Sequence, residues 1–100
     1  MAENKPFVGD VGTIISIDMD FDCSAATEVQ FFVRKPDGSE VTWTPAVVGS
    51  GHDTLEYYAG SGDFDIAGIW TVQPWVKFSA TEQWRGDPVE FTVYSRFSKL

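Results

Sequence analysis

Hydrophobic and polar residues alternate along most of this chain with a period of two. Near the N-terminus the apolar positions are Ile15, Ile17 and Met19, and the same alternation returns at 29–33 and at 89–93. Successive side chains of a β-strand point to opposite faces, so this pattern predicts strands with one buried and one solvent-exposed face. No window shows the i, i+3, i+4, i+7 stripe of an amphipathic helix.

Turn-forming residues separate these segments. The sequence Lys-Pro-Asp-Gly at 35–38 combines a proline that presets φ with a glycine that takes the left-handed conformation, which is typical of a hairpin. Such signals delimit seven predicted strands at about 13–19, 27–34, 40–48, 54–59, 68–78, 82–85 and 89–94. Short strands at this spacing predict an all-β sandwich. Pro74 falls on the inward face of one strand and has no N–H to donate, so we expect a bend, a bulge or an edge there.

The size and composition agree with one domain. The chain has 100 residues, of which 43% are hydrophobic and 15% aromatic. That is enough for a single core without disulfides, and no repeat or linker interrupts it. We therefore expect one domain over 1–100, with its core at about 9–94 and short tails at both ends.

The charge restricts the partners. The net charge is −8, and the few basic residues are scattered along the chain. Nucleic acids and anionic membranes both require a basic surface, so neither is expected to bind. The N-terminus has no apolar signal-peptide region, and no apolar run reaches the length of a membrane span. We expect a protein made and kept in a reducing cytosol until it is assembled.

Three aspartates at alternate positions suggest a calcium loop at first sight. Asp18, Asp20 and Asp22 could begin an EF-hand-like loop, but its sixth and twelfth positions would be Cys23 and Val29 instead of Gly and Glu. The sequence therefore predicts the end of a strand, with the aspartates forming an acidic rim and Cys23 returning to the core. A single cysteine also excludes an internal disulfide and a cysteine zinc site.

Two further groups of residues resemble catalytic sites only superficially. His52 and Asp53 could orient Ser50 or Ser61 as a nucleophile, but neither serine lies in a G-x-S-x-G elbow. An exposed loop histidine is the expected reading. No catalytic residue, metal or cofactor is predicted.

A pair of loop carboxylates, Asp63 and Asp65, lies near Glu56 and could suggest glycoside hydrolysis. A sandwich of this size seldom has room for the substrate cleft that such a pair needs. We expect these carboxylates to form turn and solvent contacts.

The aromatic residues are the strongest functional signal. Trp43 and Trp70 are in phase with apolar neighbours and are expected in the core, and Trp84 has the same phase. Phe32 and Trp75 fall on the faces of their strands that the alternation predicts to be solvent-exposed. Exposed aromatics mark protein interfaces or sugar-stacking platforms, so we take Phe32, Trp75 and Trp84 as candidate interface residues.

Several motifs resemble known families. The stretch 65–72 (Asp-Ile-Ala-Gly-Ile-Trp-Thr-Val) resembles the approach to strand F of immunoglobulin-like domains, with Trp70 in place of the corner tyrosine and Val72 in place of the cysteine. Over about 9–94 the chain resembles small immunoglobulin-like proteins encoded in bacteriophage and prophage structural gene clusters. The segments that carry this resemblance are GDVGT at 9–13, VRKPDG at 33–38, VTW at 41–43, SGDFDIAGIWTVQ at 61–73 and GDPVEFTVY at 86–94.

The resemblance implies an immunoglobulin-like two-sheet antiparallel sandwich that acts as a virion or tail component. It supplies no catalytic residues. The expected partners are other phage structural proteins and a second copy of the chain, met first in the bacterial cytoplasm and then in the virion. The N-terminal tail, 1–8, could add to a neighbour's sheet edge. A carbohydrate-binding module is the alternative, and a small hydrolase ranks last.

Overall fold

The alternating segments form strands, as their period predicts. The computed structural model describes residues 6–95, where all regular structure is β. Its eight strands are β1 Ile14–Asp18, β2 Glu28–Arg34, β3 Glu40–Trp43, β4 Ala46–Val48, β5 Thr54–Tyr58, β6 Gly68–Ser79, β7 Glu82–Arg85 and β8 Val89–Val93. Within this part of the chain, no helix is long and apolar enough to cross a membrane.

The strands form two antiparallel sheets. One has the order β1-β5-β4, and the other has the order β3-β2-β6-β7, with β8 also paired to β6. β7 and β8 follow one another along the same edge of β6. The predicted all-β sandwich of two antiparallel sheets is thus confirmed. Its strand order corresponds to strands B-E-D and C′-C-F-G of an immunoglobulin-like domain.

The strand predicted at 40–48 is in fact two strands. β3 pairs with β2, whereas β4 pairs with β5 in the other sheet. The chain crosses between the sheets at Thr44 and Pro45, of which Pro45 is buried. Proline cannot donate to a β-ladder, so it suits a position where the chain leaves one sheet for the other.

Pro74 lies where β6 changes its neighbour. β8 pairs with β6 up to Val72, and β7 pairs with it from Trp75. On that side the Gly86 N–H donates to the Pro74 carbonyl over 3.1 Å. The missing N–H of Pro74 therefore faces the junction between two strands, and the bulge occurs later, between Lys77 and Ser79.

Stacked aromatic rings join the two sheets. Trp43 of β3 stacks on Tyr57 of β5, with ring centroids 4.7 Å apart and planes 8° apart. Trp43 also lies 6.1 Å from Trp70, and Phe64 contacts both tryptophans. Offset and edge-to-face pairs of this kind add to the free energy of area burial, so this cluster is the centre of the core.

Trp70 takes the place of the corner tyrosine. Its indole Nε1 donates to the carbonyl of Ile66, four residues earlier, over 3.0 Å. In immunoglobulin-like domains a tyrosine near the start of strand F bonds back to the backbone in the same way. Val72, two residues later, is fully buried where such domains carry a cysteine.

The N-terminal segment is partly built into the fold. Phe7 forms an isolated parallel bridge with Tyr94. The Tyr94 N–H donates to the Pro6 carbonyl over 2.9 Å, and the Val8 N–H donates to the Tyr94 carbonyl over 2.9 Å. The predicted N-terminal tail before about residue 9 is therefore ordered from Pro6 onward, and the parts of the two predicted tails at 1–5 and 96–100 lie outside the described residues.

Candidate functional site

The aspartate run ends a strand and forms turns, as its sequence predicts. β1 stops at Asp18, and Asp20 has a φ of 65°. The Asp20 N–H donates to Asp18 Oδ1 over 2.9 Å, and the Ser24 N–H donates to Asp22 Oδ1 over 2.8 Å. These are local Asx turns, which use the carboxylates to hold the backbone. Among residues 6–95 no group of three or more His, Cys, Asp or Glu is arranged to hold a metal ion.

Cys23 returns to the core, as predicted, and is only 1% exposed. Burial raises the pKa of its thiol, and the charges of Asp22 and Asp53 raise it further. A raised pKa keeps the thiol protonated and makes it a poor nucleophile.

His52 is a loop residue that acts through its backbone. It is exposed and has a φ of 54°. Its N–H donates to the Gly49 carbonyl over 3.1 Å, and its carbonyl accepts from the Cys23 N–H over 2.7 Å. Across the described chain, no side-chain hydrogen bond joins His52 to Ser50 or Ser61. The structure does not assemble the triad that these residue types could form.

The loop carboxylates hold the fold together. Asp63 Oδ2 accepts from the Tyr57 hydroxyl over 2.6 Å and from the Gly60 N–H over 2.6 Å. Burial, and then the hydrogen bond and charge of Asp63, raise the pKa of Tyr57 to about 12. Asp65 pairs with Lys35 Nζ over 2.9 Å. Both carboxylates are therefore engaged in structural contacts.

The three candidate interface aromatics do not share one surface. Phe32 and Trp75 lie together on the outer face of the larger sheet, with ring centroids 5.8 Å apart and the Arg85 guanidinium 5.9 Å from the Phe32 ring. Neighbouring side chains cover Trp75 so well that it is only 9% exposed. Trp84 is paired with Val76 and so points to the core side of the sheet, where 53% of it stays exposed.

The outer face of the larger sheet carries a shallow hollow of about 540 Å³. We call it the outer-face hollow. Its lining is mixed, with polar and charged side chains beside one aromatic ring. It includes Phe32, Arg34, Glu40, Thr42, Thr71 and Gln73.

A second concave surface lies between the two sheets on the side of β1 and β8. We call it the edge cleft. It has a volume of about 210 Å³ and is mainly apolar. Its lining includes Pro6, Ile15, Ile17, Phe64, Val89 and Phe91. Val89 points inward, in phase with buried Val93, yet it is 39% exposed because the cleft is open.

The edge of β1 that borders this cleft has no strand beside it among residues 6–95. The Ala59 N–H donates to the Thr13 carbonyl, and the Met19 N–H donates to the Asp53 carbonyl, so odd-numbered positions bond toward β5. Backbone groups of an antiparallel pair point alternately toward and away from the partner strand. The N–H and C=O groups of Ile14, Ser16 and Asp18 therefore point away from β5.

A strand normally covers this edge. Immunoglobulin-like domains place strand A beside strand B, which corresponds to β1 here. The segment before β1 instead bonds to Tyr94, at the end of β8. The sequence alone did not indicate the edge cleft, because Ile15, Ile17 and Val89 have the same alternation as fully covered core residues.

No protein-family model, curated protein or solved structure matches this chain. The motif resemblance to phage-encoded immunoglobulin-like proteins therefore stays a prediction. The fold itself rests on the strand order and on the Trp70 corner.

Proposed function

We propose that this protein is a non-enzymatic binding module that accepts an extended segment of a partner protein beside β1. The observation that carries the proposal is the open edge of β1 next to the apolar edge cleft. An incoming strand would take the position of strand A. It would bond to the outward backbone groups of Ser16 and its neighbours, and its inward side chains would fill the cleft.

The energetics favour such an arrangement. Unpaired strand edges are templates for pairing with another chain, and proteins usually protect them with charges, prolines or bulges. β1 is regular and carries Ile15 and Ile17 toward the cleft. Main-chain hydrogen bonds and the covering of apolar surface would both favour binding, and they must exceed the free energy that association costs in lost translational, rotational and conformational freedom.

The resemblance of the motifs to phage-encoded proteins supports a structural setting, with other tail or virion proteins as the partners. The strong negative charge fits a module that stays soluble before assembly. The structural contacts of Asp63 and Asp65 support a binding role over a hydrolytic one.

A proline at position 16 tests the proposal. Ser16 is exposed and its N–H points outward, so Ser16→Pro removes a donor from the open edge without removing a bond to β5. Ser16→Ala keeps the N–H and is the matched control. Both variants would be measured by calorimetry against purified products of the neighbouring genes. We expect binding by the wild type and Ser16→Ala and a loss of at least about tenfold with Ser16→Pro, which corresponds to about 1.4 kcal/mol.

Equal binding by the proline and alanine variants would contradict strand addition at β1. Their unfolding curves, recorded first, establish that both variants are folded.

Carbohydrate binding is the second candidate, and the outer-face hollow is the observation that favours it. Its mix of hydrogen-bonding groups around Phe32 has the chemistry of a sugar site. A glycan array probed with wild type and Phe32→Ala tests it. No signal with the wild type, or a signal unchanged by Phe32→Ala, would remove this candidate.

A further inference from the structure

We infer the chemistry of the segment that pairs with β1: alternating apolar side chains, with lysine or arginine at the end that lies near Asp20. This inference rests on the proposed strand addition and goes further, because it specifies the partner's sequence pattern.

The apolar part follows from the cleft beside Ile15 and Ile17. Successive side chains of the incoming strand would point alternately into the cleft and out to solvent. Those that point inward would meet Ile15, Ile17 and Phe91. Apolar side chains suit that environment best, because the cleft is mainly apolar and a buried polar group without a partner is costly. β1 has five residues, so the matching part of the segment is also about five residues long.

The basic part follows from the continuation of the cleft. A second depression shares Ile17 and Val89 with the edge cleft and runs on past the end of β1. Its charged lining residues are Asp18, Asp20 and Asp87, against the single cation Arg85. The surface therefore changes from apolar to acidic along one continuous path.

These carboxylates are available to a partner. In the described part of the chain the ion pairs are Arg34–Glu40 and Lys35–Asp65, so none of the three acids of this path forms an ion pair there, and Arg85 is the one cation that lines the path. The chain as a whole also carries a net charge of −8, which adds a long-range attraction for cations. An acidic or neutral segment would gain nothing at this end.

A displayed library of random twelve-residue peptides tests the inference without knowledge of the natural partner. Selection on the wild-type protein is expected to enrich peptides with apolar residues at alternate positions and Lys or Arg at one end. The best peptide is then measured by calorimetry against Ser16→Pro, Ser16→Ala and the double variant Asp20→Asn/Asp87→Asn.

The charge variant is chosen to preserve the fold. Asparagine has the shape of aspartate and tolerates the left-handed φ of 65° at position 20. We expect it to weaken binding of the selected peptide about five- to tenfold at low salt, and we expect the difference to shrink as salt is added. A protein that lacks residues 1–5 but is otherwise wild type should bind the selected peptide at least as tightly as the full chain does. This comparison shows whether the chain's own N-terminal residues contribute to peptide binding.

The outcomes separate the inference from the proposed function. Selected peptides that need an intact Ser16 edge but show no preference for Lys or Arg, or that bind the double variant equally well, would overturn the inference and leave strand addition standing. Selected peptides that bind Ser16→Pro as well as the wild type would overturn both. Loss of binding on removal of residues 1–5 would also overturn the inference.

Discussion

At the scale of single residues, polar side chains that resemble catalytic groups serve the backbone. Asp63 is the best example, because one of its oxygens accepts from both the Tyr57 hydroxyl and the Gly60 N–H. Asp18 and Asp22 close turns in the same way. Aspartate suits this role because its short carboxylate reaches backbone N–H groups two or three residues away.

The bond between Tyr57 and Asp63 predicts a pH dependence of stability. The pKa of Tyr57 is raised from 10.0 to about 12 in the folded state, so ionisation favours the unfolded chain. The stabilisation is complete below about pH 10 and is lost as the pH rises toward about 12. Tyr57→Phe removes the titrating group, and we expect it to lower the free energy of unfolding by about 1–2 kcal/mol at pH 8.

The measurement is urea unfolding of both proteins from pH 8 to 11.5. The difference between them should narrow above pH 10, and a constant difference over the whole range would contradict the assignment. Stacking on Trp43 is kept in the phenylalanine variant, so the comparison isolates the hydroxyl.

At the scale of elements, β6 organises the larger sheet and β1 is the open side of the smaller one. β6 is flanked by β2 along one side and by β8 and then β7 along the other. The change of neighbour occurs at Pro74, where no N–H has to be satisfied. A proline that would be a defect inside an ordinary central strand is tolerated for that reason.

Close packing at this junction predicts that replacing Gly86 destabilises the fold. A Cβ at Gly86 would lie 2.8 Å from Cγ of Pro74, whose ring cannot move aside. We expect Gly86→Ala to lower the free energy of unfolding by about 1–3 kcal/mol. Gly51→Ala is the control, because its Cβ would meet only the mobile Asp53 carboxylate at 3.3 Å. Equal free energies of unfolding for the two variants, measured by chemical denaturation, would contradict the close packing of Gly86 against Pro74.

The open edge of β1 predicts an alternation of amide hydrogen exchange. In the protein alone, Ser16 should exchange rapidly, whereas Ile15 and Ile17, which bond toward β5, should be protected. Two-dimensional NMR after transfer to D₂O measures this directly. Slow exchange at Ser16 in the unbound protein would mean that another part of the chain already covers the edge.

At the largest scale, the sandwich formed by residues 6–95 is held by an aromatic cluster between the sheets, and within these residues one side of it is open. On the closed side, the chain itself crosses from β3 to β4. On the open side, the edge cleft and the acidic path lie along β1. Ile14 and Val89, two of the exposed apolar side chains of the described residues, border the cleft where a partner strand would add to the sheet.

The central position of Trp43 predicts that its loss weakens both sheets together. Trp43 is buried and stacks on rings of both sheets, so Trp43→Ala should lower the free energy of unfolding by about 3–5 kcal/mol. Trp84→Ala, at a half-exposed tryptophan, should lower it by about half as much. Far-ultraviolet circular dichroism and tryptophan fluorescence should report one coincident transition for each variant, and separate transitions would mean that the sheets unfold independently.

The strands, most of their boundaries and the inward-facing residues follow from the amino-acid sequence. They do so because a period of two and strong turn residues are local signals that need no tertiary context. Ile17, Met19 and Cys23 turn inward as predicted, and β7 at Glu82–Arg85 matches its predicted bounds. The break at Thr44 and Pro45 was missed because the apolar alternation continues on both sides of it.

Which surfaces are covered depends on how the strands are arranged in three dimensions. Trp75 has the strand phase of an exposed residue but is buried, and Trp84 has the phase of a core residue but is half exposed. The exposure of each side chain depends on the neighbouring strands and on how far the other sheet extends. The edge cleft has the same cause. Ile15, Ile17 and Val89 carry the pattern of core residues, and whether a strand lies over them depends on strand order, which no local pattern encodes.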